Sequence, residues 1–156
     1  MNARNDPPVN TTAPSVQGSP IPGEELTATK GDWNDDTDLA PGSLAYAYQW
    51  QKADDDSGTN TQNIAGATSA THTVQSENLD KYVRVKVTAT DDGEGKPSSQ
   101  STSASSAWYL VREENKAPQF IQDGPVNVSC DEDNAPTSFD LTLQAEDANG
   151  DEIFWE

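Results

Sequence analysis

The strongest constraint on the fold is a run of strict alternation near the middle of the chain. Val83, Val85, Val87 and Ala89 alternate with Arg84, Lys86, Thr88 and Thr90. Successive side chains of a strand point to opposite faces, so this run is a strand with one buried and one wet face. The same period recurs at Tyr46, Tyr48 and Trp50, set among Ala47, Gln49 and Gln51, and at Leu26 and Ala28, set beside Thr27 and Thr29. Helical apolar spacing is absent and β-branched and aromatic residues fill the runs, so no helix is predicted. Turn-forming clusters stand between the runs: Asn34-Asp35-Asp36, Pro41-Gly42, Asp54-Asp55-Asp56-Ser57-Gly58 and Asp91-Asp92-Gly93-Glu94-Gly95. Short strands punctuated in this way fold as an antiparallel sandwich. The spacing predicts strands over 13–17, 24–30, 44–52, 61–65, 70–75, 82–91 and 101–112.

Composition pulls the other way. Leu, Ile, Val and Phe number 23 of 156 residues, about 15%, under the roughly 20% at which a highly charged chain is expected to be disordered. The alternation resolves this conflict, because Thr and Ser cover the solvent face and the few apolar residues need fill only one inner layer. The 27 acidic and 9 basic side chains leave a net charge of -18. Nucleic acid and anionic membrane surfaces are thereby excluded as expected partners, since both need a basic footprint. No apolar run reaches the ~18 residues of a membrane span, and Met1 to Pro8 contains no hydrophobic segment of the kind a signal peptide needs. The single Cys130 excludes an internal disulfide, and the lone His72 excludes most histidine-based metal or nucleophile constellations.

Residues 1–12, rich in Pro, Asn and Thr, read as an extended linker. A domain of about a hundred residues follows over 13–112, and 113–118 (Glu113-Glu114-Asn115-Lys116-Ala117-Pro118) reads as a junction. Beyond it Phe139, Leu141, Leu143 and Ala145 alternate with polar residues, and another strand begins at Glu152-Ile153-Phe154-Trp155. So short a stretch cannot build a core alone, so residues 119–156 are expected to be part of a truncated second domain.

Four separated motifs carry a resemblance. Pro22-Gly23-Glu24-Glu25-Leu26-Thr27-Ala28, Gly31-Asp32-Trp33, Tyr48-Gln49-Trp50-Gln51, and Ile64-Ala65-Gly66-Ala67-Thr68 followed by Tyr82-Val83-Arg84-Val85 stand in the order of a bacterial immunoglobulin-like repeat. The segment from Asn115-Lys116-Ala117-Pro118 through Asp131-Glu132-Asp133 to Asp147-Ala148-Asn149-Gly150-Asp151 resembles the start of a cadherin-like repeat of bacterial adhesins. The expected fold is therefore all-β, an immunoglobulin-like antiparallel β-sandwich plus an incomplete second β-sandwich. The resemblance implies tandem domains in a large secreted or surface-attached protein, frequent calcium binding, a role in adhesion and no catalytic residues. In one place the first repeat departs from the pattern: Asp80 stands where the glycine of an Asp-x-Gly is usual before the strand.

Calcium is the one cofactor with a physical argument, because it takes six to eight oxygen ligands. Asp147, Asn149 and Asp151 supply oxygens at alternate positions around Gly150, and Glu146 with Asp131, Glu132 and Asp133 would close the shell if the strand ends meet. Glu113, Glu114 and Asn115 stand at the junction, where such ions sit in the resembling repeats. The alternative is a hydrophilic turn without metal. Asp54-Asp55-Asp56 and the group Asp32, Asp35, Asp36 and Asp38 read as solvated turns, and Lys30-Gly31-Asp32 as a turn. Trp50 is assigned to the core and Trp33 to a lid over one end of it, while Trp108 and Tyr109 point to opposite faces of the last strand.

The expected function is that of a non-catalytic spacer or adhesion segment of an extracellular bacterial surface protein. Its expected partners are neighbouring repeats of the same chain, with a host or surface glycan or protein as a further candidate. A carbohydrate- or protein-binding module, or an accessory domain of a secreted hydrolase, is the alternative. A glycan module would need an exposed aromatic patch, with Trp33, Tyr109 and Trp155 as its candidates.

Overall fold

The computed structural model of the chain describes residues 5–35, 43–92, 99–120 and 145–154. Two compact units divide it, 1–113 and 114–156. Among its described residues the first unit holds ten strands. In chain order they are β1 (Val9–Thr12), β2 (Ser15–Gln17), β3 (Glu25–Thr29), β4 (Asp32–Asn34) and β5 (Ala45–Ala53). After these come β6 (Gln62–Asn63), β7 (Thr71–Thr73), β8 (Tyr82–Thr90), β9 (Ser101–Ser105) and β10 (Tyr109–Leu110). The second unit contributes β11 (Gln119–Phe120) and β12 (Ala145–Glu146), paired antiparallel. Among the described residues the only helical element is a 3-10 turn over Ser76–Asn78. The fold is all-β and antiparallel, a sandwich.

One layer has the order β2-β3-β7. The other runs β10-β8-β5-β6, with β9 also on β8, and β1 pairs with β4 as a separate ribbon. The long β5–β8 ladder organises the second layer. Its register sets Trp50 opposite Val85, Tyr48 opposite Val87 and Tyr46 opposite Ala89, so the alternating apolar sets of both strands share one face. Val83, Val85, Val87 and Ala89 are completely buried there. The three valines meet Leu26 and Ala28 of β3, Val74 and Val111, with Trp50 as the largest buried side chain. The Trp50 indole donates to Ser69 O at 3.0 Å, so the ring is buried without an unpaired N–H.

The outer face of β5 is not uniformly wet. Gln51 and Ala53 point away from the core, yet both are buried. Arg84 covers Gln51: its Nε donates to Gln51 Oε1 at 2.9 Å, and its guanidinium lies 4.2 Å above the Trp108 ring. Gln51 Nε2 in turn donates to Asn63 Oδ1 at 2.9 Å. Desolvation under this cover lowers the Arg84 pKa from its ordinary value.

Several elements differ from the sequence expectation. Residues 9–12, expected to run as linker, form β1 on β4, and neither strand shows apolar alternation. Ahead of β1, Asn5 is 1% exposed and donates to Asp91 Oδ2 at 3.1 Å. Gln100 donates through its side chain to Asn5 O and through its backbone to Asp91 Oδ1. Asp91, from a turn-forming cluster, is buried, and so is Asp35, read as part of a solvated turn. The single strand expected over 101–112 breaks into β9 and β10 at Ser106, whose hydroxyl accepts the Val85 N–H at 3.1 Å in place of a regular ladder bond. In the second unit Glu152 to Phe154, expected to open a strand, lie outside any strand, and Phe154 is 80% exposed. No described strand offers them a ladder.

Candidate functional site

The oxygen-rich turn after β12 was the sequence candidate, and its geometry is set by its own side chains. Asp147 Oδ1 accepts two backbone N–H groups, from Asn149 at 2.8 Å and from Asp151 at 3.2 Å. Gly150 N–H donates to Asp147 O at 3.2 Å, and Gly150 holds φ +79°, where an L side chain is disfavoured. This is a closed Asx-type turn, built by the short acidic side chain that begins it.

Asn149 reaches out of the turn. Its Oδ1 accepts the Lys116 N–H at 2.8 Å and its Nδ2 donates to Glu114 O at 3.1 Å. Those two backbone groups flank Asn115 and point the same way along an extended chain, so one carboxamide satisfies both as a neighbouring strand would. The turn and the segment read as a junction are thus two halves of one feature. Sequence reasoning proposed both and missed the link, because Lys116 and Glu114 take part through backbone atoms that carry no side-chain signal.

Of the expected ligands, Asp147 and Asn149 are half-buried, while Glu146 and Asp151 are exposed. Asp131, Glu132 and Asp133 lie outside the described residues. Among the described residues no three His, Cys, Asp or Glu side chains group closely enough to hold a metal ion. The donor chemistry at 147, 149 and 151, carboxylate and amide oxygens preset by a tight turn, suits a hard cation such as calcium. Asp147 and Asn149 already give one oxygen each to turn or junction amides.

The acidic loop after β5 has a structural use. Asp55 Oδ1 accepts the Ser57 and Thr59 N–H groups at 3.0 and 2.9 Å. Asp54 accepts Asn60 Nδ2 at 2.7 Å and Lys81 Nζ at 2.9 Å. Hydrogen bonding from Asn60, then from Lys81, holds the Asp54 carboxyl below its ordinary pKa, and bonds from Thr59 do the same for Asp55.

The aromatic residues are mostly consumed by packing. Trp33 packs against the core 6.4 Å from Tyr46 and donates its indole N–H to Lys30 O at 2.8 Å. Tyr109 packs against the same core, and the face of Trp108 carries Arg84. Trp155 lies outside the described residues. His72, opposite Leu26 across β3 and β7, stacks 5.3 Å from Trp50 with its Nε2 buried and unpartnered. It lines an open cleft of about 380 Å³ together with the Ile64–Ala67 turn, Gln75 and Glu77.

Fold and site together define an all-β antiparallel sandwich followed by a β unit with a side-chain-closed acidic turn. The chain belongs to the family described as a domain of unknown function, DUF8696, which matches residues 24–107. That span runs from the edge of β3 to just beyond β9. No curated protein and no solved structure matches the chain.

Proposed function

We propose that the chain is a non-catalytic spacer segment of a large extracellular protein, in which an immunoglobulin-like sandwich is followed by the start of a cadherin-like repeat. The observation that carries this reading is where the chain enters and leaves the first unit. Asn5 is bonded to Asp91, just past the end of β8, whereas Val111 exchanges backbone bonds with Asp80 and Lys81, just before its start. Entry and exit therefore lie at opposite ends of a nine-residue strand, about 30 Å apart. A domain threaded from pole to pole transmits tension along its strands and adds length to a tandem array. The strand order, β2-β3-β7 against β6-β5-β8-β9/β10, supports the immunoglobulin-like part of the reading. The excess of negative charge keeps neighbouring repeats apart and soluble.

Calcium belongs to the same proposal. Glu146, Asp147, Asn149 and Asp151 would hold it with Asp131, Glu132 and Asp133, and bound calcium would stiffen the chain by bridging carboxylates that otherwise repel. A glycan-binding module is less favoured, because Trp33, Trp108 and Tyr109 spend their faces on Tyr46, Arg84 and the core. The test is a residue-resolved amide NMR titration of the chelator-treated chain with calcium, with magnesium as control, followed by a panel of soluble glycans. Calcium-selective, saturable shifts at Asp147–Asp151 with silence towards the glycans are expected. Saturable glycan shifts around Trp33 or Tyr109 would replace the spacer with a binding module.

A further inference from the structure

Asn149 is followed by glycine, and this is the one Asn-Gly pair in the chain. Glycine has no β-carbon to shield its amide nitrogen from the preceding carboxamide, and at Gly150 an added β-carbon would meet nothing within 4 Å. The amide that such a step would consume is also the group that ties Glu114 and Lys116 to the turn. We propose that Asn149 is a site of spontaneous deamidation that acts as a one-way latch within the second unit.

The step balances without any co-reactant but water. The Gly150 amide nitrogen, after losing its proton to solvent base, attacks Asn149 Cγ. The new N–C bond closes a five-membered succinimide, and the side-chain nitrogen leaves as ammonia. Water then opens the ring at either carbonyl, leaving aspartate or isoaspartate at position 149.

Two features couple this chemistry to the fold. While the carboxamide is held at both ends by Lys116 N–H and Glu114 O, Cγ is not at liberty to turn towards the Gly150 nitrogen, and that nitrogen's own proton is engaged by Asp147 O at 3.2 Å. The closed turn therefore protects Asn149, and ring closure proceeds from the open state. Two ordinary hydrogen bonds slow such an opening by about tenfold. Once the product forms, the latch does not close again. A carboxylate still accepts the Lys116 N–H, but it has no hydrogen to donate to Glu114 O and sets two oxygens against each other. Isoaspartate routes the main chain through the former side-chain carbonyl, which lengthens the backbone by a methylene and leaves the α-carboxylate as the pendant group. Either product adds a charge to a stretch, 113–156, that already holds 12 acids and 1 base.

The test follows the full chain at mildly alkaline pH, with and without urea, by peptide mapping that separates the aspartyl and isoaspartyl products. Asn149 is expected to deamidate ahead of every other asparagine, and about tenfold more slowly in the folded chain than in urea. In parallel, hydrogen exchange at the Lys116 amide is read in Asn149→Asp. Its protection is expected to fall while the β11–β12 ladder of the same unit stays protected, which separates a lost latch from a lost fold. Equal rates with and without urea would overturn the proposal. So would an Asn149 that outlasts the other asparagines, or unchanged Lys116 protection in Asn149→Asp.

Discussion

Replacing Gly31 by alanine tests how the β1–β4 ribbon is fitted to the sandwich, because two separate costs can be worked out at that position. Gly31 holds φ +72° between β3 and β4. A β-carbon there would overlap Thr12 O and lie 2.9 Å from both Ala13 C and Pro14 N, the chain between β1 and β2. That segment cannot step aside cheaply. Asn10 Nδ2 bonds Thr12 O at 2.8 Å and Asp32 O at 3.0 Å, and Ser15 N–H donates to Thr29 Oγ1 at 3.1 Å. The left-handed backbone costs alanine about 1 kcal/mol, and forcing the packed backbone apart adds about 2 kcal/mol. The total of about 3 kcal/mol is a large part of the roughly 5–15 kcal/mol that holds a domain folded. Gly66→Ala is the control: φ is +74°, but a β-carbon meets nothing within 4 Å, so only the backbone cost of about 1 kcal/mol applies. Urea unfolding followed by tryptophan fluorescence, at unchanged slope, reads both. Equal losses for the two variants would refute the claimed approach of Gly31 to the Thr12–Pro14 segment.

Asn5→Ala removes the amide that meets the buried Asp91, so a loss of about 1–3 kcal/mol is expected by the same unfolding assay; a change under about 0.5 kcal/mol would return residues 5–8 to a linker. His72 is buried against Trp50, and desolvation lowers its pKa below the ordinary 6.5. The unfolded chain then binds the proton more readily, so the His72 contribution is whole above about pH 6.5 and declines as pH falls below it. Urea midpoints between about pH 7 and pH 5 are expected to fall more steeply for the parent than for His72→Phe. The Asp55 carboxyl, its pKa lowered by Thr59 and Ser57, stabilises its loop above the ordinary 3.8, and that contribution disappears as pH falls through the lower native value. Amide exchange at Ser57 and Thr59 is expected to quicken on acidification before exchange in β8 does.

What was legible in the sequence follows from which forces leave a mark in residue type. β8 and β5 were readable because burial of one face selects Val83, Val85 and Val87, and Tyr46, Tyr48 and Trp50, at every second position. β1 and β4 were not, because Asn10, Thr12 and Asp32 pair through backbone and amide bonds that select no hydrophobic residue. The break at Ser106 was hidden for a related reason: serine suits an exposed strand, and only the Val85 N–H contact reveals that its hydroxyl replaces a ladder bond. The departure at Asp80 has a conformational basis, since φ there is +60°, a region glycine enters freely and aspartate tolerates. At the candidate turn, the oxygen ligands were visible as residue types around Gly150. The tie from Asn149 to Glu114 O and Lys116 N was not, because two of its three partners are main-chain atoms.

The spacer reading stands most directly on mechanical continuity from Asn5 to Val111, and pulling the full chain from both ends tests it. A cooperative rupture is expected, releasing the folded span of roughly a hundred residues as a contour length of about 350 Å. Gradual lengthening without a rupture event, or a release far shorter than that span, would contradict a sandwich threaded from pole to pole that carries tension.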